Sequence, residues 1–272
     1  MSLNFDAVIN TPEYSVDMKA GLTSLLGTSD AIRCIAETTL TGEVPERQSH
    51  KGSVRTQLKN TFSGSYGQIF SLEIADDGLT RKFNAIGHQA FAEIISYYFS
   101  DAIYGELKPL SDKAQRVIDK LGDTSEALTE QLRKSAIKNA HEVSKFKHEI
   151  KIRYRKNRDD QTILATFNSD TAKTLEAKKS KETVELTASI TRLNIHTGNG
   201  RLQIQGEEET TAFGFASKYK EVKIEAKKMF STNLDHNNGI EKSDWKYVRI
   251  IAAPITLRDG KVIKYIVSGF YK

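Results

Sequence analysis

Apolar and polar residues alternate with a period of two in Leu3–Ile9, and this predicts a first strand that Pro12 stops. Helical spacing follows from Ser15 or Asp17 to Leu26, with Gly27 placed to cap its end and Thr28-Ser29-Asp30 offering N-cap chemistry to a second helix, Ala31–Leu40. That pair closes at Thr41-Gly42, and a polar stretch from Val44 to Gly52 reads as a loop. From Ser53 to Ile74 the period returns to two, broken by a turn at Ser63–Gly67, and Asp76-Asp77-Gly78 ends the run. Three helical segments are expected next: Asn84–Tyr104, Pro109–Leu121 with Gly122 after it, and Ser125 to about Phe146. The last should bury Leu128, Leu132, Ala136, Val143 and Phe146. Ile150, Ile152 and Tyr154 then alternate with Lys151, Arg153 and Arg155 as a two-faced strand, and Thr162–Phe167 forms another.

The stretch Asn168–Lys181 is polar and lysine-rich, a helix or tether joining two halves, so a domain boundary is expected between about 170 and 182. Beyond it the pattern is mostly β. Thr183–Ile195 changes phase once, as a bulged strand does when it bends around a small barrel. Turns at His196–Gly200, Asn237-Asn238-Gly239 and Arg258–Lys261 separate the strands Arg201–Ile204, Thr210–Phe215, Trp245–Ala252, Ile255–Leu257 and Lys261–Phe270, with a helix at Tyr219–Phe230. The fold class expected is α+β: a mixed α/β N-terminal half, residues 1–170, ending in a basic helix and strand, then a small OB-like β-barrel, residues 182–272.

Charge adds a partner to this picture. Residues 1–105 carry a net −4, residues 106–181 a net +6 and residues 182–272 a net +3. Between Arg133 and Arg158 stand ten Lys or Arg against Glu142 and Glu149 alone. Helical spacing puts Lys134, Lys138, His141, Lys145 and His148 on one stripe, and Lys151, Arg153 and Arg155 share one strand face directly after it. Such a surface suits nucleic acid, the commonest intracellular polyanion. Tyr247 and Arg249, two apart on one strand, would add a ring and a charge if their face points outward. Phe213, Phe215, Tyr219, Trp245, Tyr265, Phe270 and Tyr271 are further rings, each of which the barrel interior would equally claim. The plain alternative for the stripe is a solvated lysine-rich helix, or a surface that meets the acidic front of a second copy.

No catalytic motif survives inspection. Cys34 sits among Ile32, Ile35 and Ala36 as a buried thiol, which excludes an internal disulfide and fits a reducing compartment. His50, His88, His141, His148, His196 and His236 lack zinc spacing. Glu221-Val-Lys223 and Glu225-Ala-Lys227 match the short piece of a metal-dependent nuclease site but fall in a helix. Glu207-Glu208-Glu209 reads as a solvated turn, and neither Gly64–Gly67 nor Gly198-Asn199-Gly200 has the Lys-Ser/Thr of a phosphate loop. No cofactor or metal is implied. The start, MSLNFDAVINTPEYS, has no basic n-region or apolar h-region, and the greasiest window, Ala85–Tyr104, contains His88, Gln89, Glu93 and Asp101. A cytoplasmic protein with no membrane partner is the expectation.

The blocks TRLNIHTGNGRLQI, TTAFGF and LRDGKVIKYIVSGFY resemble the C-terminal barrel of a family of uncharacterised bacterial proteins. DMKAGLTSLLGTSDAIRCIAETTLTGEV and GSYGQIFSLEI are similar to the N-terminal half of the same family. Relatives travel with mobile elements, which implies phage defence as a setting; the resemblance brings no activity and no catalytic residue. The function expected is a non-catalytic nucleic-acid-binding or sensing subunit, with Lys134, Lys138, Lys145, Lys151, Arg153, Arg155, Tyr247 and Arg249 as its contacts. A protein–protein scaffold or homo-oligomer is the first alternative and a metal-dependent nuclease the second.

Overall fold

The computed structural model describes residues 2–11, 15–46, 52–62 and 66–271, so Pro12, His50 and turn residues 63–65 lie outside the described residues. The chain divides into two compact units, Met1–Leu175 and Glu176–Lys272.

The first unit is built on a five-stranded sheet in the order β2-β3-β1-β4-β5, with β1 Ser2–Asn10, β2 Val54–Phe62, β3 Tyr66–Ile74, β4 Glu149–Arg155 and β5 Gln161–Phe167. All the pairings are antiparallel. Leu3, Phe5, Ala7 and Ile9 of β1 share one buried face, and Phe5 stacks on Phe70 with ring centroids 5.6 Å apart. Helices pack on that face: α1 Met18–Thr41, α2 Asp77–Ile86, α3 His88–Ala102, α4 Asp112–Leu121, α5 Asp123–Lys134 and α6 Ala136–Ala140. A 3-10 turn, Glu142–Phe146, leads into β4, and α7 Ser169–Leu175 ends the unit.

Several helix ends differ from expectation, each for a local reason. Gly27 does not cap a helix; α1 runs through it. A Cβ at Gly27 would stand 2.3 Å from the Ala140 amide nitrogen, so the glycine is there to let α1 and α6 cross closely. The ends of α1 are instead Asp17, whose carboxylate accepts from the Ala20 amide at 2.8 Å, and Gly42 at φ 85°. Asp76 caps α2 through the Leu79 amide at 2.7 Å, and Gly87, at φ 84°, splits the expected Asn84–Tyr104 helix in two. Pro109 lies in the coil before α4, whose cap is Ser111.

The second unit is a closed five-stranded β-barrel. β7 Val184–Leu193, β8 Gly200–Ile204 and β9 Thr210–Phe215 form an antiparallel meander, α8 Ile224–Asn237 follows, and β10 Val248–Thr256 and β11 Val262–Phe270 complete the ring. The circuit is β7-β8-β9-β11-β10-β7, with β9 and β11 parallel. This is the Greek-key order of an OB-type barrel. A two-residue strand, β6 Lys178–Lys179, adds to the edge of β10. The expected phase change in β7 is a register shift between Ile190 and Arg192. β10 passes through Pro254 as one strand rather than two, and Gly260 at φ 87° closes the tight hairpin to β11.

Ala188, Ile190, Leu202, Phe213, Ile250, Ala252, Tyr265 and Val267 fill the barrel, and Phe230 of α8 packs onto Phe213 and Phe215 with centroids 5.3 and 5.1 Å away. Two buried asparagines fix α8 to the ring. Asn233 accepts from the Ile190 amide at 2.7 Å and donates to the Lys246 carbonyl at 2.9 Å. Asn237, expected in a turn, is the buried last residue of α8 and bonds both the amide and the carbonyl of Lys246 at 2.9 Å.

Candidate nucleic-acid interface

The expected cationic stripe is not a stripe. The segment Ser125–Phe146 is three pieces rather than one helix, broken at Ser135 (φ −141°, ψ −57°) and again at His141. Lys134 ends α5, Lys138 stands on α6 and Lys145 on the 3-10 turn, so helical spacing no longer aligns them. His141 is buried, its ring tilted by 31° against Phe167 with centroids 4.5 Å apart. Phe146, expected inside, is half exposed.

Most of the charges are also neutralised within the unit. Lys145 pairs with Glu142 at 2.5 Å and Lys151 with Glu149 at 2.9 Å. Arg153 and Arg155 lie on the sheet face opposite the helices, and both grip the carboxylate of Asp6 at 2.8 and 2.9 Å. Asp6 is fully buried beneath them. A carboxylate at the centre of a sheet is tolerable only when compensated, and here two guanidiniums compensate it. These arginines hold the fold. Of the six, Lys134 and Lys138 are the exposed charges that stand outside these ion pairs among the described residues.

In the barrel, Tyr247 and Arg249 do face outward. The Arg249 guanidinium, however, lies 4.6 Å over the Tyr271 ring and 3.6 Å from Glu185. The Tyr271 hydroxyl donates to Glu185, which raises its pKa. Arg249 therefore works with Tyr271 and Glu185. Of the other rings, Phe213, Tyr219 and Tyr265 are buried, so stacking on them is not available.

A different surface on the barrel collects basic side chains. The connection between β7 and β8 is a tight turn in which the Asn194 carboxamide accepts from the amides of His196 and Thr197 at 2.8 and 3.1 Å, while the Gly198 amide donates to the Asn194 carbonyl at 2.8 Å. Gly198, at φ 74°, lets this turn press on Tyr219; a Cβ there would meet the ring at 2.4 Å. The close packing explains Gly198-Asn199-Gly200 without a phosphate loop. Ile195 and His196 ride at the tip, and Ile195 is 63% exposed.

Beside that turn runs the first half of α8. Ile224, Lys227, Lys228 and Ser231 fall at i, i+3, i+4 and i+7, one helical face. Together with Ile195, His196, Tyr219 and Lys220 they line an open groove of about 420 Å³ that contains three lysines and no acid. The Lys227 ammonium sits 4.8 Å over the Tyr219 ring, and Ile224 is 59% exposed. On the other flank of α8, Glu221, Lys223 and Glu225 line a second groove of about 910 Å³ against Phe215, Val267 and Phe270. Glu221 and Glu225 thus line one groove together with Lys223, while Lys227 and Lys228 line the other.

The spacing Ile224-Lys227-Lys228 is visible in the sequence, but its meeting with Ile195 and His196 depends on barrel closure, which local patterns do not encode. Glu221 and Glu225 do not reach the lysine groove, and no group of three His, Cys, Asp or Glu side chains gathers as a metal site among the described residues. Cys34 is buried, its thiol pushed up to about 12 chiefly by burial, which keeps it from acting as a thiolate. Among the described residues no helix is long and apolar enough to cross a membrane. No protein-family model, no curated protein and no solved structure matches the chain.

Proposed function

We propose that this chain is a non-catalytic nucleic-acid-binding subunit, and that its contact lies on the barrel rather than along the basic middle of the sequence. The observation that carries this reading is the groove between the β7–β8 turn and α8, rimmed by Lys227 and Lys228 and lined by no carboxylate side chain. Lys227 and Lys228 keep their charge available for phosphates, whereas the pairs at Glu142, Glu149 and Asp6 engage theirs within the fold. An OB-type barrel supports the same reading by analogy of fold alone, because such barrels present loops to oligonucleotides. The sequence resemblance to a family that travels with mobile elements supports a sensing role within a bacterial antiviral defence complex.

Binding measured against salt tests the proposal. Two phosphates neutralised on a single strand by Lys227 and Lys228 give a log–log slope of about −1.4. Lys227→Glu combined with Lys228→Glu should weaken binding at least tenfold and flatten that slope. A slope near zero in the wild type, or unchanged affinity in the double variant, removes the reading.

A second reading, self-association or a protein scaffold, has its own observation. Met18, Leu22 and Leu26 recur every four residues along α1 at 76%, 50% and 57% exposure. If that stripe joins copies, light scattering should find an oligomer that Leu22→Glu with Leu26→Glu dissolves and that high salt does not.

A further inference from the structure

We infer that the lysine groove takes an unpaired nucleotide, so that the ligand class is single-stranded nucleic acid rather than duplex; this rests on the nucleic-acid reading above. The groove combines two chemistries that a single strand, unlike a duplex, can satisfy together. Its rim is cationic, with Lys227 and Lys228 on one face of α8 and Lys220 just before the helix. Its wall is apolar and uncovered, with Ile195 on the turn and Ile224 on the helix both more than half exposed. Two isoleucines gain nothing from a phosphate, and desolvating a charge against them costs free energy. A duplex keeps the flat apolar faces of its bases stacked inside and offers phosphates and groove edges outward. An unpaired base offers its faces directly, and lysines beside such a surface follow the backbone while the base packs.

The dimensions agree. About 420 Å³ lies at the lower end of the range for ligand pockets, roughly 300–1,000 Å³, enough for one nucleotide. The site is also held in shape before any ligand arrives. Hydrogen bonds within Asn194–Asn199 fix the turn that carries Ile195, and the Tyr219 ring beneath Lys227 places its ammonium. Tyr219 is buried and so acts as a support for the lysine, leaving the base contact to the two isoleucines.

Fluorescence anisotropy on the full chain decides the matter, using a short labelled oligothymidylate, a duplex of the same length, and three proteins: wild type, Lys227→Glu with Lys228→Glu, and Ile195→Ser with Ile224→Ser. The isoleucine pair is exposed, so its replacement leaves thermal unfolding unchanged and alters no charge. Expected are a preference of roughly tenfold or more for oligothymidylate over duplex in the wild type, and a loss of roughly tenfold in each double variant. Equal affinity for duplex, or wild-type affinity in the isoleucine variant, overturns the single-strand inference and leaves nucleic-acid binding standing. Binding of neither probe by the wild type overturns both.

Discussion

His141 donates from Nδ1 to the Ile137 carbonyl at 2.7 Å, which leaves Nε2 to accept from the Thr171 hydroxyl at 2.9 Å. Burial pushes its pKa down to about 4, partly offset by the Ile137 carbonyl, so the folded ring stays neutral where the unfolded one titrates near 6.5. The unfolded chain then binds more protons between those values. The stabilisation is complete above about pH 6.5 and is lost as pH falls toward 4, at most about 3 kcal/mol for a shift of this size. Urea titrations at pH 7 and 5 should show a drop in the wild type that is smaller in His141→Gln. Asp6 makes the opposite kind of prediction. Removing it by Asp6→Ala strands Arg153 and Arg155 on the sheet and should cost about 3 kcal/mol or more of unfolding free energy, read in the same titration. Neither role was visible in the sequence, where His141 and both arginines take regular places in a basic run. Spacing reports which residues could share a face; it does not report that a carboxylate 147 positions earlier lies beneath them.

The strands were the legible elements, because alternation is local and survives any tertiary arrangement. Leu3–Ile9, Ile150–Tyr154 and the bulge in β7 all stand close to where their patterns put them. Helix boundaries were less legible. Leu128, Leu132, Ala136 and Val143 face the core whether the segment is one helix or three pieces, so their periodicity cannot find the breaks. Gly27 had two meanings, cap or close crossing, and the choice depends on a helix over a hundred residues later. Gly27→Ala separates them. At an ordinary exposed helix position the change would stabilise by up to about 1 kcal/mol; against the α6 backbone it should instead lower the thermal midpoint, by several degrees. In the barrel, Asn233→Ala leaves the Ile190 amide without its acceptor, while the Lys246 carbonyl keeps Asn237 and Ser189 as donors, and should cost about 2 kcal/mol, measurable by urea unfolding.

Across the whole chain, the uneven charge read from the sequence remains, but its meaning changes with the fold. The net +6 of residues 106–181 includes four of the six nominated cations in ion pairs inside their own unit, two of them on one buried acid. The smaller net +3 of residues 182–272 includes lysines that α8 sorts away from its glutamates. Available charge, not total charge, steers a polyanion. Each unit has its own hydrophobic core, and the barrel's is closed by Phe230 and the two asparagine clamps within residues 176–272. The barrel expressed alone should therefore unfold cooperatively and keep the nucleic-acid affinity and salt slope of the full chain within about threefold, while residues 1–175 bind at least tenfold more weakly. Retention of the binding by the front unit would return the contact to Lys134 and Lys138, the two exposed candidate lysines there that lie outside the ion pairs described, and would take it away from α8.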